Sequence, residues 1–160
     1  MIFDDIDLKI LHLMLQDGRI SHTAIAKETN LSGPSVYARV QRMEREGVIK
    51  GYTALLNPKK VGRELAAFVR IRTQTPGYDS EAFERFLQEE EQILECHDVD
   101  GEDCYILKVR TASTQSLQKL LATIRSFPGI TRTVTTIALE TLKEEGTVRP
   151  AINRTKPEED

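Results

Sequence analysis

A chain of 160 residues, 39% hydrophobic and 29% charged, can build one ordinary core or two small ones. Its formal net charge of −3 is spread unevenly: residues 1–64 carry ten basic and eight acidic side chains, and residues 65–160 carry twelve and seventeen. No apolar run approaches 18 residues and no basic-then-apolar N-terminus is present, which argues against a membrane span and an export signal and makes the cytoplasm the expected location. Cys96 and Cys104 have no metal-site spacing, and His12 and His22 lie in another segment from His97, so both thiols are expected to be reduced, with no metal and no cofactor.

Asp4, Asp5 and Asp7 open the chain where a helix dipole favours acids. Ile6, Ile10, Leu13 and Met14 follow at helical spacing up to Asp17 and Gly18, with His12 as a solvated side chain. Residues 20–52 then read as a helix-turn-helix: a short apolar helix around Ala24, Ile25 and Ala26, a break at residues 30–34, and a second helix over 35–46. At about 100° per residue, Val36, Val40 and Met43 share one inward stripe. Pro34, Ala38, Gln41 and Arg45 fall opposite, flanked by Tyr37 on one side and by Ser35 and Arg42 on the other. Ser32 is placed to cap this helix and Pro34 suits its first turn.

An abrupt helix start carrying Gln and Arg suits the major groove, where these side chains read base edges while Ser hydroxyls and backbone N–H groups hold phosphate. The candidate DNA-binding residues are Ser32, Gly33, Pro34, Ser35, Tyr37, Ala38, Arg39, Gln41, Arg42 and Arg45. The plain alternative is that the arginines form a solvated helix face. Charge favours DNA: from Gly33 to Arg63 seven basic residues stand against two acidic ones, in a chain that is acidic as a whole.

Residues 48–56 alternate toward strand character, and residues 57–64, with Asn57, Pro58, Lys59, Lys60 and Gly62, read as a linker. The domains expected are therefore 1–56, a helix-turn-helix domain, and 65–142, followed by a polar tail over 143–160 whose last residues are expected to be disordered. Residues 147–152 are compatible with a short edge strand. Within 65–142 the rhythm is a strand over 65–73, a turn at Pro76 and Gly77, a helix over 80–92, strands over 93–99 and 104–111, a helix over 114–127 and a strand over 130–142. The order βαββαβ predicts a ferredoxin-like antiparallel sheet with helices on one face, and an α+β fold overall. The other face keeps apolar residues such as Phe68, Ile106, Val134 and Ala138, whose simplest cover is a second copy of the sheet, so a homodimer is expected.

The chain resembles the Lrp/AsnC (feast/famine) family of transcription regulators over roughly residues 3–142. The resemblance is carried by Asp4-Asp5-Ile6-Asp7 with Ile10-Leu11, by the Leu31-Ser32 turn with Val36, Arg39-Val40 and Met43-Glu44, and by Gly47-Val48-Ile49 with Gly51-Tyr52. The loop from Gly101 to Tyr105 before Ile106-Leu107-Lys108-Val109, and Pro128-Gly129-Ile130 before Thr133 and Thr135, complete it. It implies an N-terminal winged-helix-like DNA reader and a C-terminal βαββαβ domain that dimerises and often builds octamers, with amino acids or related small metabolites bound at interfaces between the C-terminal domains.

The family loop usually reads Gly-Asp/Glu-x-Asp-Tyr; here it is Gly101-Glu102-Asp103-Cys104-Tyr105, with cysteine at the second acid. A glycine turn exposes backbone N–H groups to a carboxylate and adjacent acids attract an α-ammonium. Thr133, Thr135 and Thr136 are candidates to add hydroxyls to the same pocket, although Asp-Gly-Glu-Asp also reads as an ordinary hairpin turn and Thr suits any strand.

The expected function is thus a sequence-specific, effector-responsive regulator with double-stranded DNA, itself and a small molecule as partners. An architectural DNA-wrapping protein without effector is the alternative within the fold. A third is an enzyme like the siroheme decarboxylases, which resemble this family in both domains. It would need an acid/base cluster that His12, His22 and His97 do not form by any readable spacing.

Overall fold

A computed structural model describes residues 3–74 and 77–150. Contacts divide the chain into two compact units, one running to Leu55 and resuming at Glu145, the other Leu56–Glu144.

The first unit contains α1 (Asp5–Gln16), α2 (His22–Thr29) and α3 (Gly33–Arg45). Each start is fixed by a capping side chain that accepts an otherwise orphaned backbone N–H: Asp4 from Asp7, Ser21 from Ala24, Ser32 from Ser35. The turn after α2 is made by Asn30, which takes the left-handed conformation at φ 56° that asparagine tolerates better than most side chains. Ile10, Leu11, Ile25, Ala26, Val36, Val40 and Met43 form the buried core, with Ile6, Leu31 and Ile49 against it. The helix-turn-helix and its inward stripe are as the spacing predicts.

The alternation over 48–56 does not become a strand. Ile49 packs on the helical core, the Tyr52 hydroxyl donates to Glu44 at 2.8 Å, and Leu55 and Leu56 remain exposed. Alternation makes a strand possible, but a ladder partner makes it form, and none pairs with this stretch among the described residues. Residues 57–63 close a turn, with Lys60 and Arg63 N–H donating to the carbonyls of Asn57 and Pro58.

The second unit contains β1 (Leu65–Thr73), α4 (Ser80–Glu89), β2 (Ile93–Asp98), β3 (Tyr105–Thr111), α5 (Thr114–Arg125) and β4 (Ile130–Ile137). The sheet order is β2-β3-β1-β4, all neighbours antiparallel, which is the ferredoxin-like α+β arrangement. On one face Ala67, Val69, Ile71, Leu107 and Val109 meet Phe83 of α4 and Leu117, Leu120, Leu121 and Ile124 of α5. The last strand stops at Ile137 rather than 142, because β1 begins at Leu65 and the last N–H it can accept comes from Ala138, to Ala66. Beyond it Leu139 and Leu142 are exposed. Residues 147–150 form no strand; the rest of that candidate strand, the expected disorder at the C-terminus, and Pro76 of the expected turn lie outside the described residues.

Candidate nucleic-acid interface and effector loop

The ten candidate DNA-binding residues separate into two groups by exposure. Ser32, Pro34, Ser35, Tyr37, Ala38, Gln41 and Arg45 are exposed, whereas Gly33, Arg39 and Arg42 are half-buried. Gln41 and Arg45 bond to no other described side chain and are open to a ligand, and the Ser35 hydroxyl lies 2.7 Å from that of the cap Ser32. Tyr37 leans its ring on His22 at 5.6 Å, edge to face.

Arg39 and Arg42 do not stand free on this face. Arg39 Nη1 donates to Asp7 Oδ1 and Asp4 Oδ2, both at 2.7 Å, and Arg42 Nη2 donates to Asp7 Oδ2 at 2.6 Å. The physical reason is position on the helix: both arginines lie on the flank that faces the start of α1, and Asp7 there is 1% exposed. The Asp4 carboxyl is held below the usual carboxylate range, first by the Asp7 backbone N–H and then by Arg39. Of the seven basic residues between Gly33 and Arg63, two are therefore neutralised locally, and Lys59, Lys60 and Arg63 belong to the second unit.

The eight candidate effector residues do not converge within one chain. Successive strand residues point to opposite faces, so Thr133 and Thr135, paired with Ile71 and Val69, share the helix-covered face, and Thr136, paired with Phe68, lies on the open one. Thr133 Oγ1 accepts from Arg125 Nε at 2.8 Å, and Thr135 Oγ1 is buried without a partner among the described residues. Tyr105 also turns inward, its ring 5.7 Å from Phe83 and 6.1 Å from Tyr78.

The loop between β2 and β3 instead reaches the open face. Gly101 takes φ 143°; Arg72 Nε donates to the Glu102 carbonyl at 2.6 Å, Arg72 pairs with the Glu102 carboxylate at 3.7 Å, and Arg70 pairs with Asp103 at 3.6 Å. Arg70 and Arg72, two residues apart in β1 and so on one face, were not among the candidates. The signal available was their alternate spacing in a strand, which puts two cations side by side on a surface. Beside them Lys108 pairs with Glu95 at 2.9 Å and Glu144 at 3.0 Å, and the buried Arg110 pairs with Glu144 at 2.8 Å. Phe68 is 44% exposed on this face.

At the loop's end Cys104 Sγ accepts from the Thr73 hydroxyl at 3.4 Å and the Thr73 N–H at 3.5 Å. These bonds lower the thiol pKa of Cys104, whereas burial, with Asp98 nearby, pushes that of Cys96 up. Both are free cysteines. Since the thiolate is the nucleophile, iodoacetamide titrated from low pH, followed by peptide mapping, is expected to modify Cys104 first; equal labelling, or Cys96 first, refutes it.

Residues 3–50 match the winged helix-turn-helix DNA-binding family, and residues 66–148 match the Lrp/AsnC ligand binding domain. The chain belongs to the Lrp/AsnC family of transcription regulators. It is 40% identical over 143 residues to the leucine-responsive regulatory protein of Escherichia coli K12, covering 88% of this chain and 87% of that protein. It is 34% identical over 150 residues to an uncharacterised helix-turn-helix-type transcriptional regulator of Pyrococcus furiosus, covering 94% and 100%. Among solved structures, a transcriptional regulator from Neisseria meningitidis in complex with L-Met superposes with a TM-score of 0.86 at 25% identity, over 95% of this chain and 98% of that one. The family likeness expected from the sequence is thus borne out in both halves, and with it a DNA-binding transcription regulator carrying the Lrp/AsnC ligand-binding domain. The relatives that match are transcription regulators, and no described helix is long and apolar enough to cross a membrane.

Proposed function

We propose that this regulator reads DNA sequence with the open face of α3 and answers to an amino acid or related small metabolite. The observation that carries the reading is the set Ser35, Ala38, Gln41 and Arg45, exposed in a helix whose start is capped by Ser32 and whose opposite side is fully buried. Ser32, Gly33, Pro34 and Ser35 present the helix start to phosphate; Tyr37, Ala38, Gln41 and Arg45 lie against base edges. The protein acts in the cytoplasm, where its DNA is, and is not an enzyme, a reading supported by its likeness to transcription regulators. It needs no cofactor.

The effector is assigned to the loop from Gly101 to Cys104. Glu102 and Asp103 beside Arg72 and Arg70 offer both signs of charge, which is what a zwitterionic α-amino acid requires. Since Tyr105, Thr133 and Thr135 face the other way, the remaining wall comes from a second copy of the chain, and self-association into dimers and larger rings completes the site. The mixed open face with Phe68, Ile106 and Val134 supports such pairing.

The test is fluorescence anisotropy against the protein's own upstream DNA at several salt concentrations, with and without the twenty amino acids. For roughly six to eight phosphates contacted per dimer, the log–log salt slope should be about −5 to −7. Gln41→Ala should cost about 1–3 kcal/mol on the preferred site and little on random DNA. A slope near zero would sink the reading. Binding that ignores both sequence and amino acids would point to the architectural alternative.

A further inference from the structure

Asp7 is a carboxylate almost wholly removed from water, at 1% exposure, in the first turn of α1. Each of its oxygens accepts one guanidinium N–H from α3, from Arg39 at 2.7 Å and from Arg42 at 2.6 Å. It is also half of the capping box of α1: its N–H donates to Asp4 Oδ1 at 2.7 Å, while Asp4 Oδ2 takes a second bond from Arg39. Two arginines one turn apart on α3 are thereby tied to the first turn of α1.

Such a buried pair is a poor device for stability alone, since apolar residues of similar volume often serve as well. Arg42 even leaves its Nε buried without a partner among the described residues. What the arrangement supplies is direction. Val36, Val40 and Met43 hold α3 by non-directional packing, which resists separation more than rotation. Charge-assisted hydrogen bonds below 3 Å fix both distance and angle. The tolerance matters: a roll of about 20° at roughly 6 Å from a helix axis moves a side-chain tip by about 2 Å, which breaks any hydrogen bond to a base edge.

We propose that Asp7 is a positioning residue for DNA reading: it sets the roll of α3 through Arg39 and Arg42 and, with Asp4, keeps both arginines from binding phosphate. This rests on α3 being the reading helix, as proposed above. The clamp therefore trades general attraction for sequence discrimination, because two cations that would bind any DNA are spent on orienting Ser35, Ala38 and Gln41.

The test uses the full chain and the variant Asp7→Asn, titrated by anisotropy against its own upstream DNA and against random duplex over a range of salt, with a thermal melt by circular dichroism. Affinity for the upstream site is expected to fall about tenfold or more. Affinity for random DNA is expected to rise, with the salt slope steeper by about 0.9 for each arginine released per protomer. A merely structural role would lower both affinities together, and that result, or no change in either, overturns the proposal.

Should Asp7→Asn fail to fold, Arg42→Gln answers the same question, because Arg39 still pairs with Asp7. An unchanged slope with a reduced preference for the upstream site supports the clamp; a slope shallower by about 0.9 per protomer means that Arg42 contacts phosphate and overturns it. Failure of the underlying reading is distinguishable, because the unaltered protein would then show no salt-dependent preference for any DNA.

Discussion

Replacing Phe83 with alanine is expected to destabilise the second unit by about 3–5 kcal/mol. Phe83 is fully buried and is the one side chain of the ten-residue α4 that reaches that depth. Its ring centre lies 5.3 Å from Phe127, edge to face, 5.7 Å from Tyr105, 6.0 Å from Tyr78 and 6.2 Å from Phe86. It therefore joins α4, the turn after α5 and the start of β3 in a single aromatic cluster. Truncation removes the transfer energy of the ring, leaves a cavity among neighbours that are themselves too large to collapse into it, and breaks pair contacts worth about 0.5–1.5 kcal/mol each. Against the 5–15 kcal/mol typical of a whole domain the loss is severe. Urea denaturation followed by tyrosine fluorescence measures it, and Phe83→Leu should recover about half. A loss below about 1 kcal/mol for the alanine variant would mean that α4 is not docked through this ring.

Gly129→Ala is expected to cost about 2–4 kcal/mol in the same unit, although it adds a single methyl group. Gly129 sits at φ 83°, a region that a side chain makes unfavourable. More decisively, a Cβ there would lie 2.5 Å from Tyr78 Cα, 2.6 Å from its Cβ and 2.6 Å from its backbone nitrogen. A backbone neighbour cannot rotate away, so either Tyr78 and the start of α4 move or the turn opens and strains the bond from Gln74 N–H to the Gly129 carbonyl. Gly47 is the internal control. It has φ 71° but nothing within 4 Å of an added Cβ, so Gly47→Ala should show the backbone penalty alone, about 1–2 kcal/mol. Equal losses at the two positions would show that the approach to Tyr78 is relieved at no cost.

Gly129 also illustrates how far the sequence could be read. Pro128-Gly129-Ile130 was legible as a mark of the family at the start of a strand, but the need for glycine comes from Tyr78, 51 positions earlier. The helices were legible because their evidence is local: the cap at Ser32, the acids that open α1, and apolar residues repeating every three or four positions. The strand expected over 48–56 and the extension of β4 to 142 failed for one common reason. Alternation is a property of the segment, whereas a ladder also needs a neighbour, and beside 48–56 and past Ala138 no described strand supplies one.

The candidate sites divide along the same line. Gln41 and Arg45 were placed correctly on the open side of α3 by helical angle alone. Arg39 and Arg42 share that helix and that charge, yet their partners are Asp4 and Asp7, more than thirty positions away, and only the packing of α1 on α3 brings them together. Likewise the loop from Gly101 to Cys104 was identifiable by its glycine and acids, while the counter-charges Arg70 and Arg72 come from β1.

By itself, then, the order of residues determined the two-part organisation, the helix-turn-helix, the βαββαβ order and the family, because periodicity and capping act over a few residues and are written in consecutive positions. The tertiary structure alone decided which arginines of α3 are paired with α1, where strands end, and that Thr133 and Thr135 face away from Thr136. Each of those outcomes depends on which surface lies opposite, and that is set by contacts between residues far apart in the chain.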